Sequence, residues 1–293
     1  MTPQRVPSPE RRVPRTERRV PRLGRIPWIN CFPVYGAIDR GIVPPAAQLI
    51  SGTAAELNDL LAAGELDLSV VSAVEYARNA AAYHLLPDLA ISCDGPVQSV
   101  ALFSKRPVHE LDGATVLRTA SSRTSVLLLE LLCRHRWRIK PKFATVRAES
   151  SDLTALAGFP HEAVLVIGDA CLVLAAQSVY PYMTDLGLAW KEWTGLPFVF
   201  AVWAARREMD HGAAQTVHRA LLESRRWGLE HLDELAGAAA QATGISKPVI
   251  RAYFGDLDYA LSYRHLAGLT DFFRRLAQDG LVPDGSLSFI TAA

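Results

Sequence analysis

The 293-residue sequence is poor in cysteine. Its four, Cys31, Cys93, Cys133 and Cys171, stand roughly 40 to 60 residues apart with no C-x-x-C pair. That spacing supports neither a zinc site nor a recognisable disulfide framework. No stretch supplies the ~20 uninterrupted apolar residues a bilayer-spanning helix requires, so no membrane insertion is expected. The early arginines are followed by no apolar run and no small-residue cleavage site, so no secretory signal is read and the expected compartment is the cytoplasm. There is no P-loop, no G-x-G-x-x-G and no G-x-S-x-G, and the eight histidines are scattered. No cofactor and no metal are therefore expected, and any catalysis falls to small polar groups. An excess of charge of one sign is lacking too. Lys plus Arg number 31 against 30 Asp plus Glu, which argues against nucleic acid as a partner.

The even total conceals an uneven distribution. Residues 1–25 hold eight Arg and two Glu, a net of +6, so the rest of the chain sums to −5. The same segment repeats a degenerate heptad, with Arg5-Val6-Pro7, Arg12-Val13-Pro14 and Arg19-Val20-Pro21 in register. A proline every seventh residue forbids a continuous helix, and without an apolar stripe the repeat cannot join a core. Residues 1–22 are read as a disordered tail outside the folded body; an arm for an anionic partner is the competing reading.

From Arg25 onward, strand-like and helix-like segments alternate with short connections, the pattern of α/β layering around a mostly parallel sheet. Strands are expected at Arg25–Ile29, Gln48–Ser51, Leu66–Ser72, Ala114–Arg118, Lys142–Val146 and Ala163–Ile167. Thr53 and Glu56 form a capping box for a helix through Ala63, with Gly64 at its stop. Beyond the apolar run Leu196–Ala205 the pattern turns purely helical. Two apolar strands, Val97–Ser104 and Phe198–Ala205, bracket a middle region of about ninety residues. This layout gives two lobes, one of residues 23–108 with 198–293, the other of 109–197, and a ligand cleft at the strand ends between them.

The polar groups at those strand ends are mostly Ser, Thr and Asn, which hydrogen-bond without titrating near neutrality. Thr119-Ala-Ser-Ser-Arg-Thr-Ser125 precedes a strongly apolar helix. Amide N–H groups and hydroxyls at its positive end suit a carboxylate or phosphate, while plain capping by Ser121 or Ser122 is the simpler alternative. Asn30, before a proline-containing turn, Ser99, on a strand of undetermined facing, and Asp169, after Gly168, each admit a structural reading as well. The aromatic residues Trp190, Trp193, Phe198, Phe200 and Trp203 are read as core and hinge packing.

Several stretches in order resemble one family. They are Trp-Ile-Asn-Cys-Phe-Pro-Val-Tyr (28–35), Asp-Leu-Ser-Val-Val-Ser-Ala-Val-Glu-Tyr (67–76), Leu-Leu-Pro-Asp-Leu-Ala-Ile-Ser-Cys-Asp-Gly-Pro-Val-Gln-Ser-Val (85–100), Ser-Ser-Arg-Thr-Ser-Val (121–126), Ile-Gly-Asp (167–169) and the tryptophan-rich run 185–204. The chain is similar to the chorismate dehydratases of the futalosine route to menaquinone. The resemblance implies a two-lobed fold like the type II periplasmic binding proteins, with a central ligand cleft and a helical C-terminal part. It also implies conversion of chorismate to 3-[(1-carboxyvinyl)oxy]benzoate with loss of water. The sister enzyme, which forms a dihydroxynaphthoate, characteristically reads Ser-Pro-Cys-Pro-Asn-Asp in the first loop, where this chain has Trp28-Ile-Asn-Cys-Phe-Pro33. A non-catalytic anion-binding protein of the same fold is the other alternative. In family terms Asn30 and Ser99 match polar pocket positions and are expected to be catalytic. Ser72, Ser122, Thr124, Ser125 and Asp169 are expected to bind substrate, and no matched motif offers a histidine or lysine base. A monomer or small homo-oligomer with chorismate as its small-molecule partner completes the expectation.

Overall fold

The structure is a computed structural model that describes residues 19–119, 123–146, 158–283 and 285–290. Eleven strands are present: β1 (Arg22–Arg25), β2 (Gln48–Ser51), β3 (Leu68–Ser72), β4 (Tyr83–Cys93), β5 (Val100–Ser104), β6 (Thr115–Thr119), β7 (Lys142–Val146), β8 (Ala163–Ile167), β9 (Tyr182–Asp185), β10 (Phe198–Arg206) and β11 (Leu257–Asp258). They form two sheets, a six-stranded one ordered β11-β4-β10-β3-β1-β2 and a five-stranded one ordered β7-β6-β8-β5-β9. Both are mixed rather than mostly parallel. β10 runs antiparallel to β3 and β4, and β5 antiparallel to β8 and β9, while β1, β2 and β3 pair in parallel, as do β6, β7 and β8. β5 follows the crossing out of the first sheet and β10 the crossing back. Each enters its sheet against the direction of the parallel strands beside it.

Three boundaries differ from the sequence reading. β5 already belongs to the second sheet, so the first crossing lies between Cys93 and Val100 rather than at residue 109. The first strand is Arg22–Arg25 instead of Arg25–Ile29, because Pro27 removes an amide that a ladder would need. Arg22 is consequently part of the folded body and not of a tail: its N–H donates to Asp67 at 2.7 Å, and the Arg19 guanidinium pairs with the same carboxylate at 2.6 Å.

Helices cover the sheets where their apolar faces require it. The helix Ala54–Ala62 starts on the expected box, with the Thr53 hydroxyl accepting from Glu56 N–H at 3.3 Å and the Glu56 carboxylate accepting from Thr53 N–H at 2.8 Å. The long helix His211–Glu230 lies on Phe32–Asp39, and Gly228 marks the closest approach. A Cβ there would overlap the carbonyl oxygen of Pro33, so only glycine lets the two backbones touch. The main buried core is continuous across both sheets, and a satellite cluster of Phe103, Leu117, Val164 and Leu174 fills the second. Trp190, fully buried, packs edge-on against Phe198 at 5.2 Å and Phe272 at 5.9 Å, which joins the second lobe's helix Leu186–Thr194 to the first lobe. Among the described residues no helix is long and apolar enough to cross a membrane.

Candidate functional site

Between the two sheets lies a partly open pocket lined by residues of both lobes. The first lobe contributes Trp28, Asn30 and Cys31 from the loop after β1, Asn58 from the helix Ala54–Ala62, Ser72 from the end of β3, and Phe200 from β10. The second contributes Arg123, Thr124 and Ser125 from the start of the helix Arg123–Leu131, and Gly168 from the end of β8; Ser99 stands in the crossing segment. Asn30, Ser72, Ser99, Thr124 and Ser125, expected from widely separated motifs, therefore share one cavity. Ser122 lies outside the described residues.

The loop carrying Asn30 is a single 3-10 turn, Ile29–Cys31, that runs directly into the helix Phe32–Asp39 with Pro33 in its first turn, where no amide is missed. The Asn30 amide oxygen is buried and has no hydrogen-bond partner among the described residues, and the same holds for the amide oxygen of Asn58. Buried polar atoms are almost always paired, so two such oxygens on one cavity mark where a ligand's donors would complete the network. Cys31, beside Asn30, is no nucleophile: burial raises its thiol pKa to about 12.

Ser72 caps the helix Ala73–Arg78, its Oγ accepting from Glu75 N–H at 3.2 Å, which leaves its O–H as a donor. Thr124 does similar work across the lobes, for its Oγ1 accepts from Val74 N–H at 3.1 Å. That bond joins the lobes and, as at Ser72, leaves the hydroxyl hydrogen of Thr124 as a donor. Ser125 is buried beside it. Arg123, which the sequence reading passed over, sits at the cavity wall and donates to the carboxylate of Glu75 and, at 2.9 Å, to Asp59. Glu75 is 2% exposed, and its second oxygen accepts from Asn79 Nδ2 at 2.7 Å. The guanidinium is thus a clip between lobes as well as a wall.

Ser99 lies on a tightly held segment. Val97 N–H and Gln98 N–H both donate to the Asp185 carboxylate, at 3.0 Å and 2.7 Å, and Gly168 N–H donates to the Ser99 carbonyl at 2.8 Å. Gly168 has φ 67° and ψ −152°, a region that side-chain-bearing residues avoid. Asp169 is not part of the wall. It begins the helix Asp169–Gln177 behind Gly168, where a backbone hydrogen bond from Ile29 ties it to the Asn30 loop and its Oδ1 is buried without a partner among the described residues. Burial raises its pKa from 3.8 to about 6, against the smaller lowering effect of the Ile29 bond.

Because the folded state holds the Asp169 proton more tightly than the unfolded chain does, this group lowers stability as pH rises from 3.8 to about 6. At neutral pH the whole penalty is present, about 2–3 kcal/mol. Asp169→Asn is therefore expected to melt several degrees above the parent at pH 7.5 and to lose that advantage near pH 4. Melting curves at the two pH values check this; an equal gap at both would contradict it.

Among the described residues no group of three or more His, Cys, Asp or Glu side chains is placed to hold a metal ion. Nor does any Asp, Glu, His or Lys side chain line the cavity; Arg123 is its one charged wall residue among those described. Both overlooked wall residues carried a signal. Asn58 interrupts the buried stripe of Leu57 and Leu61 in an amphipathic helix, and Arg123 stands inside the Ser/Thr segment already marked for an anion.

A ligand cavity between two mixed α/β lobes, crossed twice by the chain, defines a two-lobed binding-protein-like fold. Solved structures share it: a protein of Archaeoglobus fulgidus, at 20% identity, superposes with a TM-score of 0.76 over 89% of this chain and 98% of its own. The periplasmic aliphatic sulphonate binding protein SsuA of Escherichia coli, 16% identical, gives 0.63 over 90% and 94%. Within that class the chain belongs to the menaquinone biosynthesis family, whose model matches residues 21–278. A chorismate dehydratase of Thermus thermophilus is 35% identical over 244 residues, 78% of this chain and 86% of the relative.

Proposed function

We propose that the chain is a chorismate dehydratase acting in menaquinone biosynthesis, and that the cavity is its active site. The observation that carries this reading is the 35% identity to the Thermus thermophilus chorismate dehydratase, in a chain whose cavity gathers Asn30, Ser72 and Ser99. The reaction removes the ring hydroxyl of chorismate and the proton on the neighbouring ether-bearing carbon, giving 3-[(1-carboxyvinyl)oxy]benzoate and water. Aromatisation supplies the driving force, so the protein has to orient the substrate, assist one proton transfer and help the hydroxyl depart.

The wall fits those tasks. Asn30 holds the departing hydroxyl, whose O–H its unpaired amide oxygen accepts, or the enolpyruvyl side chain, to which its amide N–H donates, and Ser99 donates to a substrate oxygen. Ser72 and Ser125 contact the carboxylates, with the Arg123 guanidinium at the same end. Since no carboxylate, imidazole or amine lines the described cavity, the substrate's own enolpyruvyl carboxylate is the base in this reading. Asp169 acts from behind the wall by holding the Ile29–Asn30 turn. Four free, buried cysteines suit the reducing cytoplasm as the site of action.

Incubating the purified protein with chorismate and following the aromatic product by absorbance and mass tests the proposal directly. Formation of 3-[(1-carboxyvinyl)oxy]benzoate is expected; unchanged chorismate would refute it. The same assay tests the boundary of the folded body. Removing residues 1–18 is expected to leave turnover within twofold of the full chain, because the family match begins at residue 21 and the first wall residue is Ile26. Removing residues 1–22 takes away the Arg22 bonds to Asp67 and, at 2.6 Å, to the Gly64 carbonyl, and is expected to lower the melting temperature.

A further inference from the structure

We infer that Tyr253 is a positioning residue for the proposed dehydration: it donates its phenolic hydrogen to Ser99 Oγ and thereby turns the Ser99 proton into the cavity. The inference rests on the proposed function and adds to it a residue far away in sequence. Tyr253 lies on the helix Lys247–Asp256, fully buried, with its hydroxyl 2.9 Å from Ser99 Oγ. Ser99 is itself 4% exposed and lines the cavity.

Two hydroxyls in contact can share their hydrogen bond in either direction, and satisfaction of the buried donors decides which. Ser99 is the one hydrogen-bond partner of the Tyr253 hydroxyl among the described residues. Were Ser99 the donor, the phenolic hydrogen would be left buried and unpaired, a cost of about 1–3 kcal/mol. With Tyr253 as donor no such orphan arises, and the serine's own hydrogen is freed for an acceptor in the cavity. Burial raises the Tyr253 pKa far above its ordinary value, with a smaller opposing effect of the Ser99 bond, so the phenol keeps its proton over the working range of the enzyme.

The same helix grips the segment a second time. Asp256 accepts a hydrogen bond from the Gln98 side chain, and Gln98 itself has a φ of 60°, a left-handed conformation costly for a residue with a side chain. Such strain persists only where neighbours enforce it, and here the Asp185 carboxylate, Asp256 and Tyr253 surround the segment. The result is a serine whose oxygen is fixed from behind and whose hydrogen points forward. Tyr253 acts through Ser99 and does not line the cavity.

A double-mutant cycle tests this. Tyr253→Phe keeps the ring and its packing and removes only the donor. It is expected to lower kcat/KM about tenfold, chiefly through kcat, with a melting temperature within a few degrees of the parent. Ser99→Ala is expected to lose more, and the double variant no more than Ser99→Ala alone, because the phenol has nothing left to orient. A Tyr253→Phe protein as active as the parent, or a double variant showing the product of the two single losses, would overturn the role of Tyr253 while leaving the proposed function in place. A parent protein that forms no aromatic product from chorismate would overturn both.

Discussion

Replacing Asn30 by alanine is expected to lower kcat for chorismate by about 100- to 1,000-fold, the usual cost of losing one oriented polar group that meets the transition state. Three features make Asn30 the most sensitive position. Its amide oxygen is buried without a partner among the described residues, so its hydrogen-bonding capacity is held for a ligand. It lies on a turn fixed at both ends, by Asp169 through Ile29 and by the packing of Gly228 on Pro33, so its direction does not depend on induced fit. And no acid or base on the described wall can take over its task. A drop in kcat with little change in melting temperature places the loss in the chemistry. An Asn30→Ala protein retaining more than a tenth of parental kcat would remove Asn30 from the mechanism.

Arg123→Ala carries the largest expected effect on stability. The substitution leaves Glu75, almost completely buried, with the Asn79 side chain and with no other ion-pair partner among the described residues. Breaking one side of a buried ion pair costs about 3 kcal/mol or more, far above the value of the exposed Arg123–Asp59 contact on the same guanidinium. For a chain of this length that corresponds to a melting temperature lower by about 5 °C. Adding Glu75→Gln to Arg123→Ala removes the stranded charge and is expected to recover part of the loss. Thermal melts of the single and double variants check both statements, and a single-variant shift below about 2 °C would show that water reaches Glu75. Because Arg123 also walls the cavity, the single variant is expected to bind chorismate more weakly.

Local rules made much of this legible. The Thr53–Glu56 box, the glycine stop at Gly64, the apolar helix after Thr124 and the long strand from Phe198 all follow from capping chemistry and hydrophobic period, and all are present. The strand β4 was not legible, though it lies beside β10 near the middle of its sheet. Pro87 and Asp88, the latter with φ 54°, interrupt its apolar alternation, and the pairing with β10 shifts register across that point. A bulged strand tolerates a proline that a regular one excludes, and from sequence a bulge looks like a break. The cavity shows the same division. Asn30 and Ser99 stood out because motifs surround them, whereas Asn58 and Tyr253 sit in ordinary amphipathic helices. Their importance comes from what a distant segment brings opposite them, and no local pattern records that.

The bonds between lobes have one more consequence. A receptor that serves a transporter is a messenger, and its outline must differ between loaded and empty so that a partner can tell the two apart. In this chain Arg123 with Glu75 and Thr124 with the Val74 amide tie the halves together. Separating the halves here would mean breaking a largely buried ion pair and a backbone hydrogen bond together, so those two bonds set the cost of opening the cleft.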